Sequence, residues 1–209
     1  MMVSALIERE LTLTGSPVRN GVFVAVVGPS GAGKDTLIAY VRERLGAGEH
    51  VEFARRVITR TSDGATEDHD TLADAAFVEA EAAGAFALSW EAHGLRYGIP
   101  AAVDDAISNG HVVVANTSRG VIPALRERYA NVAVVEITAA PEILATRLAA
   151  RGRESRGEVL ARLARTAPQA LSGPGHVVID NSGDAEVAGE RFLSVIRKAI
   201  AYSDVSGLV

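Results

Sequence analysis

The chain has 209 residues, 48% of them hydrophobic and 22% charged, which fits one α/β domain with a full core rather than a disordered chain. A formal net charge of -5 argues against nucleic-acid binding through bulk charge, although a local arginine cluster can still hold a small anion. With no cysteine, disulfides, thiolate metal sites and a cysteine nucleophile are excluded. No stretch is long and apolar enough to span a membrane, and Met1 to Gly21 has no signal-peptide layout, so a cytoplasmic enzyme is expected.

Residues 1–20 read as a loose extension ending in the turn-prone Gly15-Ser-Pro17 and Asn20-Gly21, and residues 21–209 as a single domain. Val22 to Val27 is a continuous apolar run, the pattern of a strand buried on both faces. Lys34 to Leu45 follows as a helix, with Leu37, Ile38, Val41 and Leu45 on one side. Further valine-rich runs lie at His111–Ala115, Val132–Ile137 and His176–Asp180. Helical patterns fall at about Gly120–Tyr129, Pro141–Arg151, Gly157–Leu171 and Ala185–Tyr202. This alternation predicts an α/β fold of the P-loop kind: a parallel sheet flanked by helices, with ligands at the carboxyl ends of the strands. Two stretches interrupt it and read as insertions over the ligand face: a polar one at about 55–100, with short strands at Phe86–Trp90 and Leu95–Gly98, and an arginine-dense one at about 147–165.

Gly28-Pro29-Ser30-Gly31-Ala32-Gly33-Lys34-Asp35-Thr36 stands between the first strand and the first helix. Glycines at 28, 31 and 33 let successive N–H groups turn inward as an anion nest, and the helix adds its free donors and positive dipole end. Lys34 supplies a mobile cation for the β- and γ-phosphates, so the whole segment is the candidate ATP cradle. A Ser or Thr is expected after the lysine to help hold Mg2+; Asp35 stands there, with Thr36 one place later, and either could contact the metal or its waters.

Arg147, Arg151, Arg153, Arg156, Arg162 and Arg165 fall within nineteen residues. Arg147 and Arg151 share a helix face, and Arg151-Gly-Arg153 interrupts the helix where a lid would hinge. Since a phosphoryl group in transit is stabilised mainly by surrounding cations, Arg147, Arg151 and Arg153 are the candidate lid contacts. In the insertion after residue 55, Arg55-Arg56-Val-Ile-Thr59-Arg60, Glu67-Asp68-His69 and Ser89-Trp90-Glu91-Ala-His93-Gly94-Leu-Arg96-Tyr97-Gly98 concentrate arginines, carboxylates and aromatics. That mixture suits a pocket for a small polyhydroxylated, phosphorylated acceptor.

Taken together these residues resemble a guanylate-kinase-type fold, and more closely the ribose 1,5-bisphosphate phosphokinases of phosphonate breakdown. The similarity rests on the P-loop with Asp35, Thr59-Arg60, Glu67-Asp68-His69, Phe86-Ala-Leu-Ser-Trp90, His93-Gly94-Leu95-x-Tyr97-Gly98, Asn116-x-Ser118-Arg119 and Arg151-Gly-Arg-Glu154. It covers about residues 21–182. Departures from guanylate kinases are informative: Asp63 stands where they place a second arginine, Asp68-His69 where they place Asp-Tyr, and the strand tip Val114-Ala-Asn116 lacks their acidic residue towards guanine. A guanine site therefore looks dismantled. The bisphosphokinases usually have Pro after Thr-Arg, and here Thr61 stands instead.

The resemblance implies transfer of the γ-phosphoryl group of ATP, with Mg2+, to the 1-phosphate of ribose 1,5-bisphosphate. In that reading Arg60, Arg56 and Arg119 grip acceptor phosphates, and Glu67, Asp68, His93 or Asn116 read ribose hydroxyls. Tyr97 forms part of the wall, and Asp180-Asn181 falls near the adenine. The alternatives are a nucleoside monophosphate kinase and a non-catalytic guanylate-kinase-like binding module. The oligomeric state is open, a homodimer included.

Overall fold

A computed structural model of the chain describes residues 21–46, 48–60, 69–150, 157, 171 and 173–206. Nine strands and six α-helices lie in these residues, in chain order. The elements are β1 Val22–Val27, α1 Lys34–Arg44, β2 Val51–Phe53, β3 Arg56–Ile58, β4 His69–Thr71, α2 Asp74–Ala82, β5 Phe86–Ala92, β6 Leu95–Pro100 and α3 Ala102–Ser108. Then come β7 Val112–Asn116, a 3-10 turn Arg119–Val121, α4 Ile122–Arg128, β8 Val132–Thr138, α5 Pro141–Ala149, β9 His176–Asp180 and α6 Ala185–Ser206.

Five strands form a parallel sheet in the order β2-β7-β1-β8-β9. Its centre, β1, is buried along its whole length and feeds two cores by alternation. Val22, Val24 and Val26 face α1 and α6 through Leu37, Val41, Phe192 and Ile196. Phe23, Ala25 and Val27 face α3 and α4 through Ile107, Ile122 and Leu125. Both faces are covered, which is what a continuous valine run demands. Because the strands run the same way, the loop after β1 and the ends of β7, β8 and β9 share one edge.

A second, four-stranded sheet, β4-β3-β6-β5, is built from residues 56–100. Strands β5 and β6 form a hairpin closed by His93 (φ 54°) and Gly94 (φ 72°), two left-handed residues whose twist matches the strands they join. Its pairing sets Trp90 opposite Tyr97, and β3 adds to the other edge of β6 with Ile58 opposite Tyr97.

The long elements agree with the periodicity to within a few residues, but β2, β3, β4, α2 and α3 carry little or no periodic signal. Three-residue strands are too short to alternate visibly. Helix α2, DAAFVEAEA, buries one side chain, Phe77, against the hairpin's Phe86 ring at 4.6 Å, so it shows no apolar stripe. The extension 1–20 and the expected helix 157–171 lie outside the described residues, apart from positions 157 and 171.

Candidate active site

The nonapeptide after β1 curls back over the start of α1. Gly28, Gly31 and Gly33 all have positive φ, at 144°, 83° and 92°. Two of them are glycine for a second reason. A Cβ on Gly28 would stand 2.1 Å from the Ile137 carbonyl oxygen, and one on Gly33 would stand 2.4 Å from Asn181 Nδ2. The loop is thus pressed against β8 on one side and the end of β9 on the other. Lys34 Nζ donates to the carbonyls of Gly28 at 2.9 Å and Pro29 at 3.0 Å, which sets the ammonium across the loop.

Asn181, which directly follows β9, braces the loop. Its Nδ2 donates to the Ala32 carbonyl at 2.7 Å and its N–H donates to Thr138. Arg147, near the end of α5, adds a second brace: Nη2 donates to the Asn181 carbonyl at 3.0 Å, and Nη1 reaches the carbonyls of Gly31 and Ala32 at 3.4 and 3.5 Å. The first arginine of the expected lid is therefore bound to the loop backbone itself.

Asp35 points across to β7, where Asn116 Nδ2 donates to its Oδ1 at 2.7 Å. Asn116 is 7% exposed, and its Oδ1 and the Thr117 hydroxyl are buried without a hydrogen-bond partner among the described residues. Thr36 is exposed, whereas Asp35 lines an open cavity together with Ile38, Ala39 and Arg42 of α1, and with Arg56 and Asn116 opposite. Of the two expected metal contacts, Asp35 is the one directed into the cavity.

From the second sheet Arg56 lines this cavity, while Trp90 and Tyr97, expected as its wall, do not. Trp90 and Tyr97 stack with centroids 5.3 Å apart and planes 8° from parallel, and the Arg56 guanidinium lies 6.0 Å from the Tyr97 centroid. Thr59, just before Arg60, is tied to the hairpin: the Arg96 N–H donates to its hydroxyl at 2.9 Å, and the Thr59 N–H donates to the Arg96 carbonyl at 3.1 Å. Arg96 itself is matched by carboxylates, pairing with Asp74 at 3.1 Å and Glu91 at 3.2 Å. His93 is exposed at the hairpin tip and does not line the cavity beside Asp35. Arg119 donates through Nε and Nη2 to Glu136 Oε1, whose other oxygen is 2.9 Å from His176 Nε2. That guanidinium is held against β8. Glu67, Asp68, Arg151 and Arg153 lie outside the described residues.

The sequence reading missed Arg42 as a site residue, although it stands seven residues after Asp35, two helical turns along the same face. It also missed Asn181 as a brace for the loop. The signal there was the pairing of a polar residue with the end of a buried strand. Among the described residues no cluster of three or more His, Asp or Glu side chains could hold a metal ion. None of the described helices is long and apolar enough to cross a membrane.

No protein-family model matches the chain. A ribose 1,5-bisphosphate phosphokinase PhnN of Chelativorans sp. is 58% identical over 210 aligned positions, spanning 100% of both chains. Those of Brucella melitensis (53%, covering 83% of this chain and 90% of the relative) and Agrobacterium fabrum (44%, covering 86% and 98%) are also similar. Among solved structures, a guanylate kinase from Anaplasma phagocytophilum superposes with a TM-score of 0.58 at 19% identity, covering 88% of each chain. That likeness shows the fold: a guanylate-kinase-like P-loop domain. By identity along its whole length, the chain belongs to the ribose 1,5-bisphosphate phosphokinase family.

Proposed function

We propose that this chain transfers the γ-phosphoryl group of ATP to the 1-phosphate of ribose 1,5-bisphosphate, releasing ADP and 5-phosphoribosyl 1-diphosphate, as a cytoplasmic step of phosphonate degradation. The observation that carries this is the 58% identity over the full length to a ribose 1,5-bisphosphate phosphokinase. The altered acceptor wall, with Arg56 and Asn116 lining the cavity beside the P-loop, supports a sugar phosphate over a guanine nucleotide.

In this reading an oxygen of the 1-phosphate forms a bond to Pγ while the bond from Pγ to the β–γ bridging oxygen breaks. The electron pair leaves with ADP. The acceptor is already ionised, so no side chain need remove a proton, and the protein's work is alignment and cancellation of repulsion between two polyanions. Lys34, the backbone N–H groups of residues 30–36 and the N-terminus of α1 hold the β- and γ-phosphates. Arg147 keeps the loop in register, Arg151 and Arg153 close over the moving group, and Arg60 grips the accepting phosphate. Glu67 or Asp68 reads ribose hydroxyls, a role that His93, exposed at the hairpin tip, does not take.

The donor set fits Mg2+ bound with the nucleotide: a hard carboxylate at Asp35, held in place by Asn116, is the kind of single protein ligand that such an ion takes beside phosphate oxygens. When bound, the ion neutralises charge on the β- and γ-oxygens.

The test offers the purified protein Mg-ATP with ribose 1,5-bisphosphate and, in parallel, GMP, AMP and CMP. ADP formed with the bisphosphate, together with 5-phosphoribosyl 1-diphosphate, is the expected outcome. ADP released only with a nucleotide overturns the reading.

A further inference from the structure

We infer that Arg42 and Arg56 form a second phosphate subsite, which holds the phosphate of the acceptor that does not react. This rests on the functional reading above, and goes further in saying how the far end of the acceptor is recognised. Asp35, Ile38, Ala39 and Arg42 are spaced i, i+3, i+4 and i+7, so one stripe of α1 forms one wall of the open cavity. Phe53, Ala54, Arg56, Val114 and Asn116 form the rest.

At 1.5 Å rise per residue, Arg42 lies about 10 Å along the helix axis from Asp35. One end of the stripe is therefore beside the P-loop and the other is well removed from it. Near the P-loop the polar groups are a carboxylate and its amide partner. Arg42 instead brings a cation, and Arg56 brings a second from the other sheet.

Both guanidinium groups are backed by aromatic rings. Arg42 Cζ is 4.9 Å from the Phe53 centroid, and Arg56 Cζ is 6.0 Å from that of Tyr97, which is itself stacked on Trp90. A guanidinium against a ring keeps its N–H donors in its own plane, where they match the paired oxygens of a phosphate. Two donor-only cations cannot satisfy the mixed donors and acceptors of a nucleobase edge, but they suit a phosphate dianion. A pentose with phosphates at positions 1 and 5 offers such a group at the required end: the 1-phosphate at the P-loop, and the 5-phosphate at Arg42 and Arg56.

The experiment compares wild type, Arg42→Gln and Arg42→Lys in two measurements. In calorimetry with ribose 5-phosphate, wild type binds, Arg42→Gln binds roughly 10- to 100-fold more weakly, and Arg42→Lys falls between them. In turnover, KM for ribose 1,5-bisphosphate rises by a similar factor in Arg42→Gln, while KM for ribose 1-phosphate and the affinity for ATP stay at wild-type values. Equal losses with both acceptors, or unchanged ribose 5-phosphate binding in Arg42→Gln, overturn the subsite. Absence of turnover with ribose 1,5-bisphosphate in wild type, with ribose 5-phosphate binding still dependent on Arg42, overturns the functional reading and leaves the subsite standing.

Discussion

Asn116 at the tip of β7 donates its amide N–H to the carboxylate of Asp35 at the start of α1, across 2.7 Å. The amide fixes one carboxylate oxygen, so in the proposed reading Asp35 would meet the nucleotide's metal in one orientation. Losing the outer partner of a metal-binding side chain typically costs 10- to 100-fold. Asn116→Ala is expected to raise the Mg2+ concentration for half-maximal rate by about that factor, with metal-free ATP binding unchanged. A Mg2+ titration at saturating ATP reads it; an unchanged requirement removes Asn116 from this role.

Lys34 donates to two carbonyls of its own loop. These bonds hold the ammonium at the loop mouth, but their loss leaves acceptors that backbone or water can reach. Lys34→Ala should therefore keep the fold, checked by circular dichroism, and lower kcat by roughly 10²- to 10³-fold, as loss of one charged donor to a transferring group does. Wild-type rates in that variant would refute the cradle.

The P-loop, four of the five parallel strands (β1, β7, β8 and β9) and the closing helix could be read from the sequence, because long valine runs and a fixed glycine spacing are local signals, whereas the three-residue β2 could not. What joins the site together was not. Asp35 and Asn116 are 81 positions apart, and Arg147 and the Gly31 carbonyl are 116 apart. Such pairs exist only once the crossover helices set the strand order. Arg147 illustrates the gap: its place among clustered arginines spoke for a phosphate contact, while the structure adds a bond to the loop backbone that no spacing could show. Asp35 was visible as a departure at a metal position, but its amide partner was not.

That backbone bond separates two roles for Arg147. If it acted only on the moving phosphoryl group, Arg147→Ala would lower kcat and leave ATP binding alone. Because it is tied to the carbonyls of Gly31, Ala32 and Asn181, the variant should also bind ATP about tenfold more weakly and unfold at lower temperature. Calorimetric ATP affinity distinguishes the two; an unchanged value would leave the arginine with the phosphoryl group alone.

Gly28 and Gly31 both have positive φ, yet their surroundings differ. A methyl group on Gly28 meets the backbone oxygen of Ile137 at 2.1 Å, which moves only if β1 and β8 separate. One on Gly31 meets Leu148 Cγ at 3.1 Å, and a leucine side chain can turn. Gly28→Ala should cost upwards of about 3 kcal/mol and Gly31→Ala about 1–2 kcal/mol, both measured by denaturant unfolding. Equal losses would show that backbone conformation, rather than the close approach to β8, decides the residue at 28.

Far from the site, Asp104 gives the fold a dependence on pH whose sign can be worked out. Arg128 donates to it through Nε at 3.0 Å and also through Nη2, and the Tyr129 hydroxyl donates to Oδ1 at 2.6 Å. Hydrogen bonding from Arg128, and then from Tyr129, holds the carboxyl below its usual range despite partial burial. Burial first, and the carboxylate second, push the Tyr129 phenol up. A carboxyl with a lowered value stabilises the fold above the unfolded carboxylate range, near pH 4, and that contribution fades as pH falls through the folded value. The phenol acts in the opposite direction: its contribution is complete below about pH 10 and is lost as pH rises through its raised value. Tyr129 is 6% exposed and its ring stacks on Phe23 at 5.1 Å, so a hydroxyl left without its acceptor stays buried. Asp104→Ala should thus cost about 1–3 kcal/mol at pH 7. Urea unfolding of the two proteins between pH 7 and pH 2.5 should show that gap narrowing steadily below about pH 4. A gap that stayed constant to pH 2.5 would mean the ion pair contributes nothing and that only side-chain volume was lost.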